Sequence, residues 1–246
     1  MKRFHVLQLP VDPVTMNSAL QFIDDRVQSL SSPAYVLCAN PEKVYQIRSG
    51  VGLSVFFEDA DLVIPDGVGI VIAARLLYGG RLSRVTGADL MQAICAVAPA
   101  RDYRIFIYGS SHATNRKAVE VLRRRYPGIN IVGSQHGYLA AEEMDALISR
   151  INDSKPDILF VALGSPLQEK WVQQYLPRLN VKVVQGVGGT LDTIAGSVRR
   201  APRWMRVAGL EWFYRLLKQP SRARRQLNLV RFVAEVLRIK LIGQHV

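Results

Sequence analysis

Six apolar runs of strand length recur along the chain, and an amphipathic stretch follows each of them. The runs are YVLCA from residue 35, DLVIP from 61, RIFIYG from 104, INIVG from 129, DILFVALG from 157 and VKVVQG from 181. Glycine, proline or a polar residue terminates each run, and this alternation is typical of successive βαβ units. The pattern therefore predicts an α/β fold with a mostly parallel sheet and helices on both faces.

The loops after these runs are the expected location of chemistry, because parallel sheets bind ligands beyond the carboxyl ends of their strands. The loops are NPEK from residue 40, PDGVG from 65, YGSS from 108, LGSPLQEKW from 163 and QGVGGTLD from 185. Four of them contain glycine and several contain serine or threonine, so main-chain N–H groups can approach an anion at a helix N-terminus. One such glycine usually marks only a turn, but together the loops favour a nucleotide-type ligand.

Asp66 stands where the apolar run LVIP meets the helical stretch that follows. A carboxylate at this position has two interpretations. It can be an N-cap, which accepts hydrogen bonds from the N–H groups of the first helical turn. It can also be a general base, which removes a proton from a substrate hydroxyl.

Several other chemistries are disfavoured. No G-x-G-x-x-G opens a helix after the first strand and no P-loop motif occurs, which argues against a dinucleotide oxidoreductase or a P-loop NTPase. Cys38 and Cys95 lack metal-site or redox spacing and are expected to be buried thiols. Asp59 and Asp61 form a DAD motif, but Asp61 begins its strand roughly 16 Å from Asp66, at ~3.3 Å per residue. We therefore predict neither a metal nor a cofactor.

Charge divides the chain into two parts. The 246 residues are 49% hydrophobic, enough for a substantial core, and carry a net charge of +12. Residues 199–246 hold ten Arg and two Lys against Glu211 and Glu235, a net charge of +10, which leaves +2 for the rest. We predict an α/β core over residues 1–198 and a cationic helical appendage over residues 199–246.

The appendage has the pattern of a surface-binding helix. Between residues 221 and 243, apolar side chains recur at steps of three and four with arginines between them, at Leu227, Val230, Ala234, Leu237 and Leu241. This basic amphipathic pattern, with aromatic residues just upstream, predicts binding to an anionic membrane surface. A terminal helix docked on the core with a solvated basic face is the alternative. Nucleic acid is a third option, but no recognition motif accompanies the helix, and we expect none to bind.

Neither a signal peptide nor a membrane span is predicted. The first residues lack an apolar h-region, and no uncharged apolar run reaches the ~18 residues that a span requires. The expected location is cytoplasmic, peripheral on the inner face of the cytoplasmic membrane.

Longer motifs carry a family resemblance. They are, in order, NPEK, ADLVIPDGVGIV, SRVTGADLM, GSPLQEKW, GVGGTLDTIAGSVRRAP and GLEWFYRLLKQPSRARRQL. The chain resembles the WecG/TagA/CpsF family of bacterial glycosyltransferases over most of its length. The resemblance implies a Rossmann-like fold and an inverting, metal-independent transfer of a hexose from a UDP-sugar to an undecaprenyl-diphosphate-linked saccharide, in cell-surface polysaccharide synthesis. It also implies that the appendage completes the site at the membrane.

The resemblance further implies which sugar is moved, namely N-acetylmannosamine or its uronic acid. INIVGSQHGYL and QPSRARRQL are similar to the enterobacterial common antigen branch, which uses the mannosaminuronic acid donor. A UDP-glucose or GDP-mannose type hexosyltransferase for exopolysaccharide is the alternative within the enzyme class. A function of a different class is also left open, namely a basic nucleic-acid-binding or membrane-scaffold protein in which the loops at the strand ends are vestigial. A homo-oligomeric state is left open as well.

Residue roles follow from positions in the motifs. The resemblance makes Asp66 the general base. Together with glycines and a serine from the loops at the strand ends, the predicted donor-binding set is Asn40, Arg84, Gly109, Ser110, Gly164, Gln168 and Gly188. The predicted set for the acceptor or the diphosphate is Cys38, Arg215, Arg222 and Arg225. The family often has threonine at the position of Cys38, and a thiol is a poorer hydrogen-bond partner than a hydroxyl.

Overall fold

Six parallel strands form the central sheet of the computed structural model, which describes residues 2–29, 33–48, 52–218 and 223–242. The side chains of residues 206, 207, 215, 218 and 223–227 are not among those described. The strands are β3 (Ala34–Ala39), β4 (Leu62–Pro65), β5 (Arg104–Gly109), β6 (Asn130–Gln135), β7 (Ile158–Ala162) and β8 (Val183–Gly186). Their spatial order is β4-β3-β8-β7-β5-β6, and every neighbouring pair is parallel. All six predicted strands and the α/β class are confirmed.

A short antiparallel hairpin precedes this sheet and was not predicted. It pairs β1 (Phe4–Val6) with β2 (Leu9–Val11) through a turn at Leu7 and Gln8, both with positive φ, 53° and 71°. The hairpin lies beside β4, where the main-chain N–H of Asp12 donates to the carbonyl oxygen of Val63 at 2.9 Å.

Helices connect the strands and cover both faces of the sheet. They are α1 (Met16–Gln28), α2 (Pro41–Arg48), α3 (Leu53–Glu58), α4 (Val68–Tyr78), α5 (Gly87–Val97), α6 (His112–Arg125), α7 (Met144–Asp153), α8 (Leu167–Tyr175), α9 (Thr190–Ala195), α10 (Arg203–Val207), α11 (Glu211–Lys218) and α12 (Ala223–Ile242). Short 3₁₀ turns occur at Ala98–Arg101, Ala141–Glu143 and Leu176–Arg178.

Alternating side chains of the strands divide the core into two layers. In β7, Leu159 and Val161 pack with α2, α3, α4, α7, α8 and α12. Ile158, Phe160 and Ala162 of the same strand pack with α1, α5, α6 and α9 on the other face. Burial on both faces explains why the strands are continuous apolar runs rather than alternating ones.

Helix α12 presents two apolar stripes. Phe232 and Val236 are 2% and 3% exposed and belong to the core, and Arg48 of α2 pairs with Glu235 at 2.6 Å. A second stripe, at Val230, Val233, Leu237 and Leu241, is exposed. The helix is therefore docked on the body while a separate apolar stripe faces outward. Within the described part of the chain, no helix combines the length and the apolar character that a bilayer crossing requires.

The DAD motif serves the start of β4. The carboxylate of Asp61 accepts the main-chain N–H of Tyr35 at 3.1 Å and pairs with Arg26 at 3.3 Å. Asp61 and Asp66 flank β4 at opposite ends, as predicted. Asp61 has a structural role on the edge of the sheet away from the predicted site.

Candidate active site

A pocket of about 350 Å³ opens at the carboxyl ends of the strands. Loops after β3, β4, β7 and β8 contribute its wall, together with the segment before α5 and the start of α11. Seven predicted site residues line it, namely Cys38, Asn40, Asp66, Arg84, Gly164, Gln168 and Gly188. These strands are adjacent in the sheet, so residues from distant parts of the sequence meet in one place.

Asp66 is held at the end of β4 by its main chain. Its N–H donates to the carbonyl oxygens of Ala39 and Ile64 at 3.0 and 2.9 Å, and its own carbonyl oxygen accepts Nε of Arg84 at 3.0 Å. The N-cap of α4 is Gly67, so Asp66 lies one residue before the cap. The helix start thus does not use Asp66 as its N-cap residue, and the capping interpretation of this carboxylate was wrong.

Asn40 faces Asp66 across the ends of two strands. A Cβ added at Gly67 would lie 3.1 Å from Cβ of Asn40, so a side chain there would require a small shift of its neighbours. The side-chain oxygen of Asn40 accepts the main-chain N–H of Lys43 at 3.2 Å, which caps α2. Asn40 therefore has a structural role in addition to its place in the pocket wall.

Cys38 is a free cysteine of intermediate exposure in this wall, whereas Cys95 is buried, so the prediction of a buried thiol is confirmed for Cys95 and wrong for Cys38. Its Sγ lies 3.9 Å from the carbonyl oxygen of Gly186. Burial, and next the nearby charge of Asp66, raise the pKa of the Cys38 thiol well above its ordinary value. The side chain is therefore a weak hydrogen-bond donor and a poor nucleophile at neutral pH.

Two arginines bind one carboxylate at the mouth of the pocket. Nη2 of Arg84 lies 3.2 Å from Oε2 of Glu211, the first residue of α11, and Nε of Arg200 lies 3.6 Å from Oε1. Arg200 also pairs with Asp89 of α5 at 2.6 Å. Glu211 is buried, and Trp212 beside it also lines the pocket. These ion pairs join the start of α11 to the body.

A second network lies deeper, around Gln168 of α8. Its Oε1 accepts the N–H of Gly188 at 2.9 Å, and its Nε2 donates to Oε1 of Glu169 at 3.0 Å. The same carboxylate oxygen pairs with Nζ of Lys43 at 2.5 Å, and Nζ also donates to Oγ of Ser165. The loops after β3, β7 and β8 are thus joined through buried polar groups.

Some predicted site residues lie elsewhere. Gly109 and Ser110 end β5 on the same edge of the sheet but are not among the residues that line the pocket. Ser110 donates through Oγ to Asp192 at 3.4 Å, and a Cβ at Gly109 would lie 2.4 Å from the main chain of Ala162. Arg222 and the side chains of Arg215 and Arg225 lie outside the described residues, so their assignments stay predictions.

Four charged residues of these networks were not predicted as site residues, namely Lys43, Glu169, Arg200 and Glu211. Each lies inside a motif noted in the sequence, within NPEK, GSPLQEKW, SVRRAP and GLEW. Single charged residues look like surface residues in a sequence. They are recognised as site residues only because the fold brings them together, and this clustering depends on tertiary contacts.

Three carboxylates, those of Glu42, Asp66 and Glu211, line the cavity together with several cations. Asp66 is the predicted base, and Lys43, Arg84 and Arg200 add positive charge along the wall. Over the described residues, no three or more His, Cys, Asp or Glu side chains are grouped so that they could hold a metal ion. The cavity is suited to an anionic ligand beside a group that takes up a proton.

Comparisons with known proteins agree with this chemistry. The model of the glycosyl transferase WecG/TagA/CpsF family matches residues 4–245. A protein of Bacillus spizizenii is 33% identical over 230 residues, which cover 89% of this chain and 89% of that protein. One of Bacillus subtilis is 30% identical over 230 residues, which cover 94% of this chain and 89% of the relative. Both are named N-acetylglucosaminyldiphosphoundecaprenol N-acetyl-beta-D-mannosaminyltransferase.

Proposed function

The chain belongs to the WecG/TagA/CpsF family of glycosyl transferases, and we propose that it moves an N-acetyl-β-D-mannosaminyl group from a UDP-sugar to N-acetylglucosaminyl-diphosphoundecaprenol. The observation that carries this proposal is the meeting of Asp66 and Arg84 at one pocket wall, joined by a 3.0 Å hydrogen bond. A sugar transfer needs a group that removes a proton and a group that stabilises a departing diphosphate. These two residues are of the required types.

The reaction is a single displacement with inversion. The acceptor hydroxyl oxygen attacks the anomeric carbon of the donor, and its proton goes to the carboxylate of Asp66. The bond between that carbon and the diphosphate oxygen breaks, and UDP leaves with the electron pair. Arg84 and the main-chain N–H groups at the strand ends stabilise the charge that develops on the leaving oxygen.

The names of the two relatives favour N-acetylmannosamine over its uronic acid as the transferred sugar. The cations that line the described pocket also bear on this choice, because Lys43, Arg84 and Arg200 each already contact a carboxylate. A uronate carboxylate and a diphosphate would compete for the same positive groups. A neutral sugar avoids that competition, so we infer the N-acetylmannosamine donor.

Membrane attachment completes the proposal, because the acceptor is anchored in a bilayer by its polyprenyl chain. The exposed stripe of α12 and the basic side chains around it, among them Arg231, Arg238 and Lys240, are suited to a bilayer that carries anionic lipid. The start of α11 lines the pocket. An appendage that rests on the membrane would bring the pocket to the lipid-linked acceptor.

A donor screen tests the proposal. Purified protein is incubated with a short-chain polyprenyl diphosphate that carries N-acetylglucosamine, and with UDP-N-acetylmannosamine, its uronic acid, UDP-glucose or GDP-mannose in parallel. We expect a β-linked product from the first donor only. Transfer of the uronic acid alone would instead assign the protein to the branch that uses the mannosaminuronic acid donor. Absence of UDP binding by calorimetry would contradict the proposal as a whole.

A further inference from the structure

The ion pair between Lys43 and Glu169 is almost completely buried, and a contribution to stability does not explain this burial. Their side chains are 4% and 2% exposed, and Nζ lies 2.5 Å from Oε1. Removing two charges from water costs several kcal/mol for each ion, and an apolar pair of similar volume is often as stable. Oε2 of Glu169 is buried and has no hydrogen-bond partner among the described residues, which adds to the cost. An arrangement this costly needs a reason other than packing.

The pair determines which way the Gln168 carboxamide points. Glu169 as a carboxylate only accepts hydrogen bonds, so the group next to it must be the NH₂ of Gln168, at 3.0 Å. The N–H of Gly188 only donates, so the group next to it must be the oxygen, at 2.9 Å. A flipped amide would place oxygen against carboxylate and NH₂ against N–H. Lys43 pairs with Glu169 at 2.5 Å and holds that carboxylate against Gln168, so the ion pair and the N–H of Gly188 together hold this orientation.

The position of Gln168 leaves one hydrogen for a ligand. Nε2 carries two hydrogens, and the described contacts use one of them, for Glu169. Gln168 lines the pocket, and its carboxamide lies over Gly186, where an added Cβ would come within 2.6 Å of Nε2. The pocket wall therefore presents a hydrogen-bond donor, and not an acceptor, at this point.

We propose that Lys43 and Glu169 are positioning residues that hold Gln168 as a hydrogen-bond donor toward an oxygen of the nucleotide-sugar. This inference rests on the proposed function, since it requires a donor in this pocket. The accepting oxygen belongs either to the diphosphate or to the sugar. Neither Lys43 nor Glu169 needs to touch the substrate for the effect.

The test removes both charges at nearly constant volume. The double variant Lys43→Met/Glu169→Gln is compared with wild type for melting temperature, UDP affinity and the kinetics of transfer. We expect it to melt close to wild type, because neither charge is left unpaired. We expect KM for the donor to rise about tenfold with kcat changed much less, since one hydrogen bond to an anionic or polar ligand is lost.

A double-mutant cycle distinguishes an effect of the ion pair on the position of Gln168 from a general loss of rigidity in the pocket. Gln168→Ala is made in the wild type and in the double variant. If the pair acts through Gln168, the alanine raises KM in the wild type but adds little in the double variant. Independent, additive effects would overturn the proposal. A loss of UDP affinity assigns the accepting oxygen to the diphosphate, and a loss confined to the UDP-sugar assigns it to the sugar.

Controls keep the outcomes distinct. Lys117→Met/Glu120→Gln makes the same change at an exposed ion pair on α6 and should leave KM unchanged. If the double variant does not fold, Glu169→Gln alone carries the test, because its neutral amide no longer requires Gln168 to donate. A folded variant with wild-type KM would refute the positioning role. Wild-type protein that neither binds UDP nor transfers sugar would instead refute the proposed function, and this inference with it.

Discussion

Glu211 and Arg84 are 127 residues apart in sequence, yet Oε2 of the first lies 3.2 Å from Nη2 of the second. Glu211 begins α11 in the appendage, and Arg84 lies in the segment between α4 and α5 that also contacts the main chain of Asp66. The guanidinium group of Arg84 therefore links the start of α11 to the main chain of Asp66, the proposed base.

Glu211→Gln should weaken the contact between α11 and Arg84 without creating a cavity. The amide keeps the shape but loses its charge, so Arg84 and Arg200 lose a charged partner. We expect a melting temperature about 2–4 °C lower and a kcat/KM about tenfold lower, which corresponds to roughly 1 kcal/mol of interaction in each measurement. Thermal melts and initial rates check this. Glu120→Gln on the exposed face of α6 is the matched control, and equal effects of the two changes would argue against the connection.

The exposed stripe of α12 should govern attachment to lipid. Deletion of residues 199–246 is a poor test, because it removes Phe232 and Val236 from the core. The triple variant Val230→Ser/Leu237→Ser/Leu241→Ser changes only exposed side chains. We expect co-sedimentation with anionic liposomes to fall at least about tenfold, because each buried apolar side chain contributes on the order of 1 kcal/mol or more.

The melting temperature of this triple variant should stay close to that of wild type, since Phe232 and Val236, which pack α12 on the core, are unchanged. Val55→Ser, an exposed position on α3, is the control and should bind liposomes normally. Wild-type binding should also weaken as salt rises, because surface charges are screened. Unaltered sedimentation of the triple variant would exclude this stripe as the membrane contact.

Five strands of the sheet could be predicted from the sequence because both of their faces are buried, whereas the edge strand β6 is partly exposed. The run ILFVALG from residue 158 is apolar throughout, as expected for a strand covered on both faces. The hairpin of β1 and β2 could not, because Leu7 and Gln8 occupy a turn that usually carries Asn-Gly or Gly. The insertion of β8 between β3 and β7 is likewise set by long-range packing and not by any local pattern.

The site could be predicted only in part, for a similar reason. Asp66 follows β4 directly and Gln168 lies in the first turn of the helix after β7, and the carboxyl ends of parallel strands meet at one edge of the sheet. Lys43 and Glu169 are 126 residues apart, and their partnership depends on α2 and α8 lying on the same face of the sheet. Hydrophobic periodicity carries no information about which acid meets which base.

Transfer should continue in excess EDTA. Arginines and main-chain N–H groups of this pocket are expected to stabilise the departing UDP, so no divalent cation is required for that step. Initial rates with EDTA, and after readdition of Mg²⁺ or Mn²⁺, measure this. A metal-dependent glycosyltransferase in the same buffer should stop and recover. The same behaviour in this protein would show that a cation takes part.

Both thiols should react slowly in the folded protein. Burial, followed by the charge of Asp66, raises the pKa of Cys38, and burial raises the pKa of Cys95 to about 12. A raised pKa means that little thiolate is present at pH 8, and thiolate is the reactive form. A disulfide reagent such as DTNB should therefore titrate both thiols rapidly in guanidinium and neither rapidly in native buffer. Fast reaction of one thiol in native protein would contradict this.

Asp66 is the residue on which the proposed chemistry depends most. Because α4 is capped at Gly67 and the contacts of Asp66 to Ala39, Ile64 and Arg84 run through its main chain, those contacts survive a change of the side chain to amide. Its carboxylate nevertheless shares a pocket wall with Asn40 and Gln168. Stability and catalysis should therefore respond differently to Asp66→Asn.

We predict that Asp66→Asn melts within a few degrees of wild type, binds UDP normally and transfers sugar at no more than about a hundredth of the wild-type rate, since an amide cannot accept the proton from the acceptor hydroxyl. Asp59→Asn, at an exposed position before the opposite end of β4, is the matched control and should transfer at the normal rate. The loss should appear in kcat at saturating donor, because the proton moves only in the transition state. Near-normal turnover of Asp66→Asn would show that another group removes the proton.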